Sequence, residues 1–555
     1  MSNPPLRRST RAASVKPDQQ AAAKAAKAPK PLARTASRTT KRPASPDPSP
    51  PPAKRSRARS EKPQTEHTKK VASKPASTKK VTQTLNLAKH SKVNGLATVR
   101  EEAAPRKPYF NPLPTPPEKS HPGCQLFVWG AGNFGQFGMG ADLLGEFAKP
   151  KKSAWIETKM QEGAFGGDGA GLEAVAAGGL HTLFIDENGT IWSCGVNDDA
   201  ALGRVTKDVP DPNKPGSFLD IDELTAVPYP LQSLVDEKFR AVRIAAGDSI
   251  SAAISSEGEL RVWGSFRAVE GALGFSGEEK HQFLPKPILG YGQKPNDEKA
   301  VSVASGNNHL VVLTTHGNVY AWGAGEQGQL GRKILERRKI HGTVPEKIIL
   351  GNRSNKAVLV GAGNYCSFAV DEEGAVWGWG LNTMGQTGTG VFDPPSASDE
   401  VRSPKKIPAL SKEALEGDTV VEIAGGEHHT LFLTAAGKVY ACGRCDGNQL
   451  GLNKDDNAEF RDRPHKDCID EPMEIDFPDK SDPIIHISVG THNNMVITRG
   501  GALYAWGEET QGELGVGEKE AETPIEVVRK EGGSWQAIAV ACGGQHTLGM
   551  FRKKA

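Results

Sequence analysis

The chain has 555 residues, enough for two or three ordinary domains or one large repeat domain with extensions. Its 62 glycines argue for many tight turns and against long helices, and no apolar run approaches the roughly 20 residues needed to cross a bilayer. Charge is divided: residues 1–107 carry 26 Lys+Arg against 6 Asp+Glu, a net of +20, and the rest carries 43 against 60, a net of −17. Tail and body therefore read as separate units.

The tail comes first. Residues 1–107 are rich in Ala, Pro, Ser, Thr and basic residues and almost free of aromatics, a composition too poor in apolar surface to offset chain entropy. We expect residues 1–120 to form a disordered basic tail ahead of a folded body over 121–555. Lys41-Arg42 is followed, after eleven residues, by Lys54, Arg55, Arg57 and Arg59. Two basic clusters at that spacing resemble a bipartite nuclear import signal, so an import receptor is one expected partner. The same one-signed charge suits salt-sensitive contact with DNA phosphates, and a merely solubilising tail is the alternative. Ser45-Pro46 and Ser49-Pro50 lie between the clusters, where phosphorylation would subtract charge. The N-terminus lacks the apolar core of a secretory signal. Seven cysteines, an odd number scattered along the chain, do not form a disulfide framework. Cys442 and Cys445 make one CxxC with no second pair, and Cys442 replaces a recurring Trp, so a buried reduced thiol is expected there rather than zinc. An intracellular protein follows, with no metal, no cofactor and no membrane partner.

From Cys124 onward a hydrophobic strand ending in a glycine turn recurs seven times, its last glycines being Gly130, Gly195, Gly264, Gly323, Gly380, Gly443 and Gly507. Each is followed by a second glycine in a Gln-Leu-Gly-like stretch, from Gly138 in the first copy to Gly515 in the last. Before each strand stands an apolar run into another glycine turn, as in Val175-Ala176-Ala177-Gly178-Gly179-Leu180-His181-Thr182. Short strands with regular turn glycines argue antiparallel sheet, and a period near 60 residues argues propeller blades. The body opens with the second half of a repeat (Leu126–Gly138) and ends with the first half (Ile538–Thr547). An all-β, seven-bladed β-propeller closed by pairing the N- and C-terminal half-blades is therefore expected, with no open sheet edge. A closed ring of this kind needs no partner to cap it, so a monomer is expected. Gly130–Gly135 and Gly323–Gly328 match GxGxxG, but each lies in the repeated β-turn with no following helix, so neither reads as a dinucleotide site.

The Gly-Gly-x-His-Thr turn and the Trp-Gly-x-x-x-x-Gly-Gln-Leu-Gly arm resemble the regulator of chromosome condensation family across residues 124–551. The resemblance implies a chromatin-bound, nuclear exchange factor for the small GTPase Ran, with histones or nucleosomal DNA engaged through the tail. It implies no covalent catalysis. A propeller scaffold on chromatin or with a ubiquitin ligase, lacking exchange activity, is the competing reading, since the repeat serves many functions.

Departures from the repeat carry more information than the repeat itself. The two glycines are eight residues apart in six copies and ten apart in the third, from Gly264 to Gly274. Phe266 and Arg267 in that longer loop resemble the family's wedge, which displaces the nucleotide site of the GTPase. A histidine recurs three positions after the turn glycine at His181, His309, His429 and His546, a frequency that points to a structural tie. The resemblance nevertheless implies that His181 and His546 face the GTPase, along with Asn133, Asp248, Asn308, Arg332 and His428. Asn133 and Asn308 stand where the family suggests aspartates, and Gly385 where it suggests a histidine. Asn keeps the reach of Asp and loses its charge.

Overall fold

A computed structural model of the chain describes residues 108–554, except 291–296, 391–399, 454, 464 and 518–520. The basic clusters at Lys41–Arg42 and Lys54–Arg59 and the two Ser-Pro sites lie outside the described residues.

Seven four-stranded antiparallel blades make up the body, two of them, over 357–406 and 420–474, joined edge to edge by a parallel bridge between Ala362 and Ala424. They are numbered here as blades 1 to 7 in the order of the turn glycines, with strands a to d in each, counted in the sense of the chain's repeat. Blade 2 is typical, built from Leu172–Ala177, His181–Asp186, Ile191–Gly195 and Tyr229–Pro230. Blades 3 to 7 span residues 241–287, 300–348, 357–406, 420–474 and 484–528. Blade 1 takes strands a and b from the C-terminus (Trp535–Cys542 and His546–Lys553) and strands c and d from the N-terminal side (Gln125–Ala131 and Glu146–Lys152). Its seam runs in unbroken antiparallel register from Gln125↔Phe551 to Gly130↔His546. The two half-repeats thus complete one sheet and close the ring.

Strand b is buried along its whole length in blades 2 to 7, for example His181–Asp186 and His309–Thr314, because it lies between two neighbouring sheets. The turn glycine ending strand c has positive φ in every blade, 107° at Gly195 and 108° at Gly264. A Cβ at Gly264 would stand 2.2 Å from the Ser249 carbonyl oxygen, so only glycine fits where strand c passes over the a–b turn.

Sideways contacts explain the remaining repeated residues. The strand-c tryptophan donates its indole N–H to a main-chain carbonyl in the preceding blade: Trp129 to Glu513 (2.8 Å), Trp263 to Ala201 (2.8 Å), Trp379 to Gln329 (3.0 Å) and Trp506 to Gln449 (3.1 Å). Cys194 and Cys442 replace the tryptophan in blades 2 and 6, and their thiols donate to Gln136 and Gln386 at 3.6 Å. All seven cysteines are free thiols, six of them buried.

The folded body includes residues 108–120, upstream of the boundary at 121 expected from composition. This strap crosses the b–c turns of blades 4, 3 and 2. Asn111 donates through Nδ2 to the carbonyls of Thr314 (2.9 Å) and Ala357 (3.0 Å). Leu113 packs over Gly258, and Lys119 pairs with Glu187 at 3.9 Å.

Candidate functional site

Register decides which loops share a face. In each blade the first residue of strand b pairs with the glycine ending strand c: His181↔Gly195, Ile250↔Gly264, His309↔Gly323, His429↔Gly443. The a–b turns and the c-strand exits therefore emerge at one end of every sheet. The wedge of blade 3, Asp248, Asn308, His428 and Asn133 all lie on this face. The strap occupies the other.

Backbone hydrogen bonds link the a–b turns into a belt. Gly179 N–H donates to Gly247 O (3.0 Å), Asp248 to Asn307 (2.7 Å), Asn307 to Asn364 (3.1 Å), Asn364 to Gly426 (3.0 Å), Glu427 to Thr491 (3.1 Å) and Gly544 to Gly178 (3.1 Å). The Thr491 hydroxyl donates to Gly544 O at 3.3 Å and completes the circuit. The belt encircles the channel mouth, a cavity of about 570 Å³ lined by residues of all seven blades.

The wedge is a hairpin of Phe266–Ala268 and Gly271–Gly274, with Arg267↔Ala272 and Ala268↔Gly271 in register. Val269 and Glu270 form its tip, and Val269 is 77% exposed. Phe266 was expected on the protruding loop; it is instead 1% exposed and packs with Trp322. The reason lies in the insertion. Blade 3 sends its arm outward as the wedge, and the Phe266 ring lies against Gly323 beside the next blade's Trp. Phe266 is the hairpin's anchor and Val269 its exposed apolar point.

Arg267 is half exposed and lies between two carboxylates, its Nη1 3.7 Å from Asp199 and 4.0 Å from Asp248. His281 Nδ1 approaches Asp199 at 3.6 Å. Burial pushes the Asp248 carboxyl above its usual pKa, Arg267 pulls it down and Asp199 raises it further. Asn308 accepts the Arg267 backbone N–H through Oδ1 at 2.8 Å, a role that needs an oxygen and no charge.

His181 and His546 do not reach the surface. His181 Nε2 bonds Ser251 Oγ (2.8 Å) and His546 Nε2 bonds Thr182 Oγ1 (3.0 Å), each partner belonging to the next blade. His309 and His429 make the same bond to Ser367 and Asn494. The recurring histidine is thus an inter-blade tie, and direct contact of His181 or His546 with a partner is corrected by this burial. Arg332 is also committed internally, donating to the carbonyls of Gly342 (3.2 Å) and Val344 (2.9 Å) and pairing with Glu346.

His428 is half-buried beside Glu427, whose carboxylate also pairs with His492 at 3.4 Å. Burial lowers the His428 pKa against the pull of Glu427. Asn133 is exposed next to Phe134 at one lip of a cleft of about 410 Å³ between blades 1 and 2. Among the described residues no group of three or more His, Cys, Asp or Glu side chains is arranged to hold a metal ion.

The sequence profile of the RCC1-like domain matches residues 125–549. The chain belongs to the regulator of chromosome condensation family. Members similar to it include Protein pim1 of Schizosaccharomyces pombe, 34% identical, with 78% of this chain and 75% of that protein aligned. Guanine nucleotide exchange factor SRM1 of Saccharomyces cerevisiae is 32% identical over 76% and 86% of the two chains. The human Regulator of chromosome condensation is 30% identical over 78% and 92%. In three dimensions this family member matches the crystal structure of Prp20p from Saccharomyces cerevisiae with a TM-score of 0.66 and 28% identity, covering 80% of this chain and 93% of that one. That structure was described with the binding of Prp20p to Gsp1p and histones, and another shows Kap60 bound to yeast RCC1 (Prp20).

Asp199, Val269, His281 and His492 were not among the residues singled out from sequence. Asp199 sits in an ordinary Asn-Asp-Asp loop, and nothing local indicates that Arg267 lies against it.

Proposed function

We propose that this protein is a guanine-nucleotide exchange factor for Ran and that it acts through the wedge face. The observation that carries the reading is that the inserted hairpin of blade 3 lies on the same face as Asp248, Asn308, His428 and Asn133. A single globular partner can touch all of them. The belt and the inter-blade ties hold these groups on a stiff frame.

The mechanism is differential binding. A face that binds nucleotide-free Ran more tightly than loaded Ran weakens nucleotide by the same factor, because the coupling is reciprocal. Val269 and Arg267 supply the intruding group, and Asp248 orients Arg267 while offering a carboxylate to basic side chains. Asp248, His428 and Asn133 serve as gripping residues. Exchange is accelerated in both directions, and the ratio of GTP to GDP sets the product. Histone and nucleosomal DNA contact, import-receptor binding and residence on chromatin in the nucleus are assigned to the basic tail. The relation to Prp20p supports these partners.

The test is release of labelled GDP from Ran with and without the full chain. Acceleration, and its loss on the order of 10²-fold with Asp248→Ala or Arg267→Ala, is expected for groups that act at the transition state. No acceleration by the unsubstituted chain leaves the scaffold reading in its place.

A further inference from the structure

The wedge is a hairpin of nine residues, too short to hold its position by its own hydrogen bonds. Phe266 and Leu273 pack its root against the core, but the exposed tip has no such support. Ala268 and Leu273 roof a pocket of about 200 Å³, with Glu326, Ile334 and Lys339 on the opposite wall. Polar contacts must therefore set the height of the tip. Two of them reach its backbone: Arg267 N–H to Asn308 at the root, and Val269 N–H to Glu326 Oε2 at 2.7 Å at the tip.

Glu326 is itself held by Lys339, from the 3₁₀ segment Glu336–Thr343 of blade 4. Lys339 Nζ lies 2.5 Å from Glu326, 2.6 Å from Glu336 and 3.2 Å from Glu270 at the tip. One ammonium thus binds three carboxylates that would otherwise repel one another, and it links the tip to blade 4. The hydrogen bonds that Lys339 donates to Glu326 and Glu336 raise its pKa, so the charge persists at neutral pH. The Lys339 side chain is only 18% exposed, in keeping with a bracing role rather than a free surface charge.

We infer that Lys339 is a positioning residue for exchange, fixing the wedge tip through Glu270 and Glu326. The inference rests on the exchange reading, and it adds a residue that does not touch the partner. Lys339→Met leaves three unneutralised carboxylates around the tip and loosens the acceptor of the Val269 amide. Lys339→Arg keeps the charge and most of the reach.

The experiment has two readouts on the full chain. Hydrogen exchange of the peptide spanning 266–274 is measured without partner, and GDP release from Ran is resolved into kcat and KM. Lys339→Met is expected to speed exchange at the Val269 amide by about tenfold and to lower kcat on the order of tenfold with little change in KM. Lys339→Arg restores both. Glu270→Gln removes one link on an exposed side chain that folding does not need, and it gives a smaller change in the same direction. Unchanged Val269 exchange in Lys339→Met overturns the brace. Faster amide exchange with intact kcat overturns its catalytic importance. An unsubstituted chain that fails to release GDP sinks the exchange reading instead, and the amide measurement still reports on the brace.

Discussion

Acid should loosen this propeller through its inter-blade histidines. Burial lowers the pKa of His181 and His309 to about 4 and of His429 and His546 to about 3. Each is neutral when folded and titrates at its ordinary value, near 6.5, when unfolded. The unfolded state then binds more protons across the interval between, so the stability these groups contribute is complete above pH 6.5 and declines as pH falls toward 4. At pH 5.5 each histidine costs about 1.3 kcal/mol relative to pH 7.5, or about 5 kcal/mol for the four, against a typical domain stability of about 5–15 kcal/mol. Groups whose pKa burial or a neighbour raises oppose the trend, Glu509 and His486 among them. Burial pushes Glu509 up to about 7, and Glu422 raises the pKa of His486 although burial works against it. Both make folding more favourable as pH falls.

A comparison of two proteins separates the histidines from that background. His309→Asn places in blade 4 the residue that blade 7 already carries as Asn493. At pH 7.5 the variant should be less stable, because the bond from Nε2 to Ser367 is lost. Between pH 7.5 and 5.5 it should lose about 1.3 kcal/mol less than the parent, since one titrating group has gone. Urea midpoints at the two pH values, followed by circular dichroism, measure the gap. Parallel curves for parent and variant would refute the buried-neutral assignment.

Two further substitutions probe the two faces. Asn111→Ala removes both side-chain bonds that pin the strap, and should cost about 1–3 kcal/mol; limited proteolysis should then cut between 108 and 123 while the body from 124 onward stays intact. Gly179→Ala would put a Cβ 2.4 Å from Asp248 Oδ1; GDP release should fall about as far as in Asp248→Ala, with a loss of stability near 1 kcal/mol, and full activity would show that the Asp248 position is unimportant.

The fold was legible because each blade repeats its own physical demands. Strand c must cross the a–b turn where a Cβ would strike a carbonyl, so glycine recurs at Gly130 through Gly507. The indole donor recurs because in four blades it hydrogen-bonds the neighbouring blade, and a thiol takes that place at Cys194 and Cys442. Closure was legible from the two half-repeats at the ends. The strap was not. Asn111 lies in a proline-rich stretch with no period, and its partners Thr314 and Ala357 are more than 200 residues away. Site residues were legible where they broke a pattern. The two-residue excess between Gly264 and Gly274 marked the wedge, but not which of its side chains faces solvent, because that depends on Phe266 packing beside Trp322 in the next blade. Asp199 and Lys339 broke no pattern, and only the approach of distant loops gives them partners.

These observations bear on how a propeller can act on another protein without moving much itself. The a–b turns spend their backbone N–H groups on one another around the belt, so that part of the face has little freedom to reshape itself around a partner. Discrimination between two states of the partner must then come from side chains and from the one element outside the belt. The wedge is that element, and its fastenings at Asn308, Asp199 and Glu326 lie on three different places around it. A frame that yielded would let loaded and empty partners bind equally well, and uniform binding does not accelerate release. Rigidity here is therefore part of the exchange chemistry, since binding free energy that deforms the disc is lost to displacing the nucleotide.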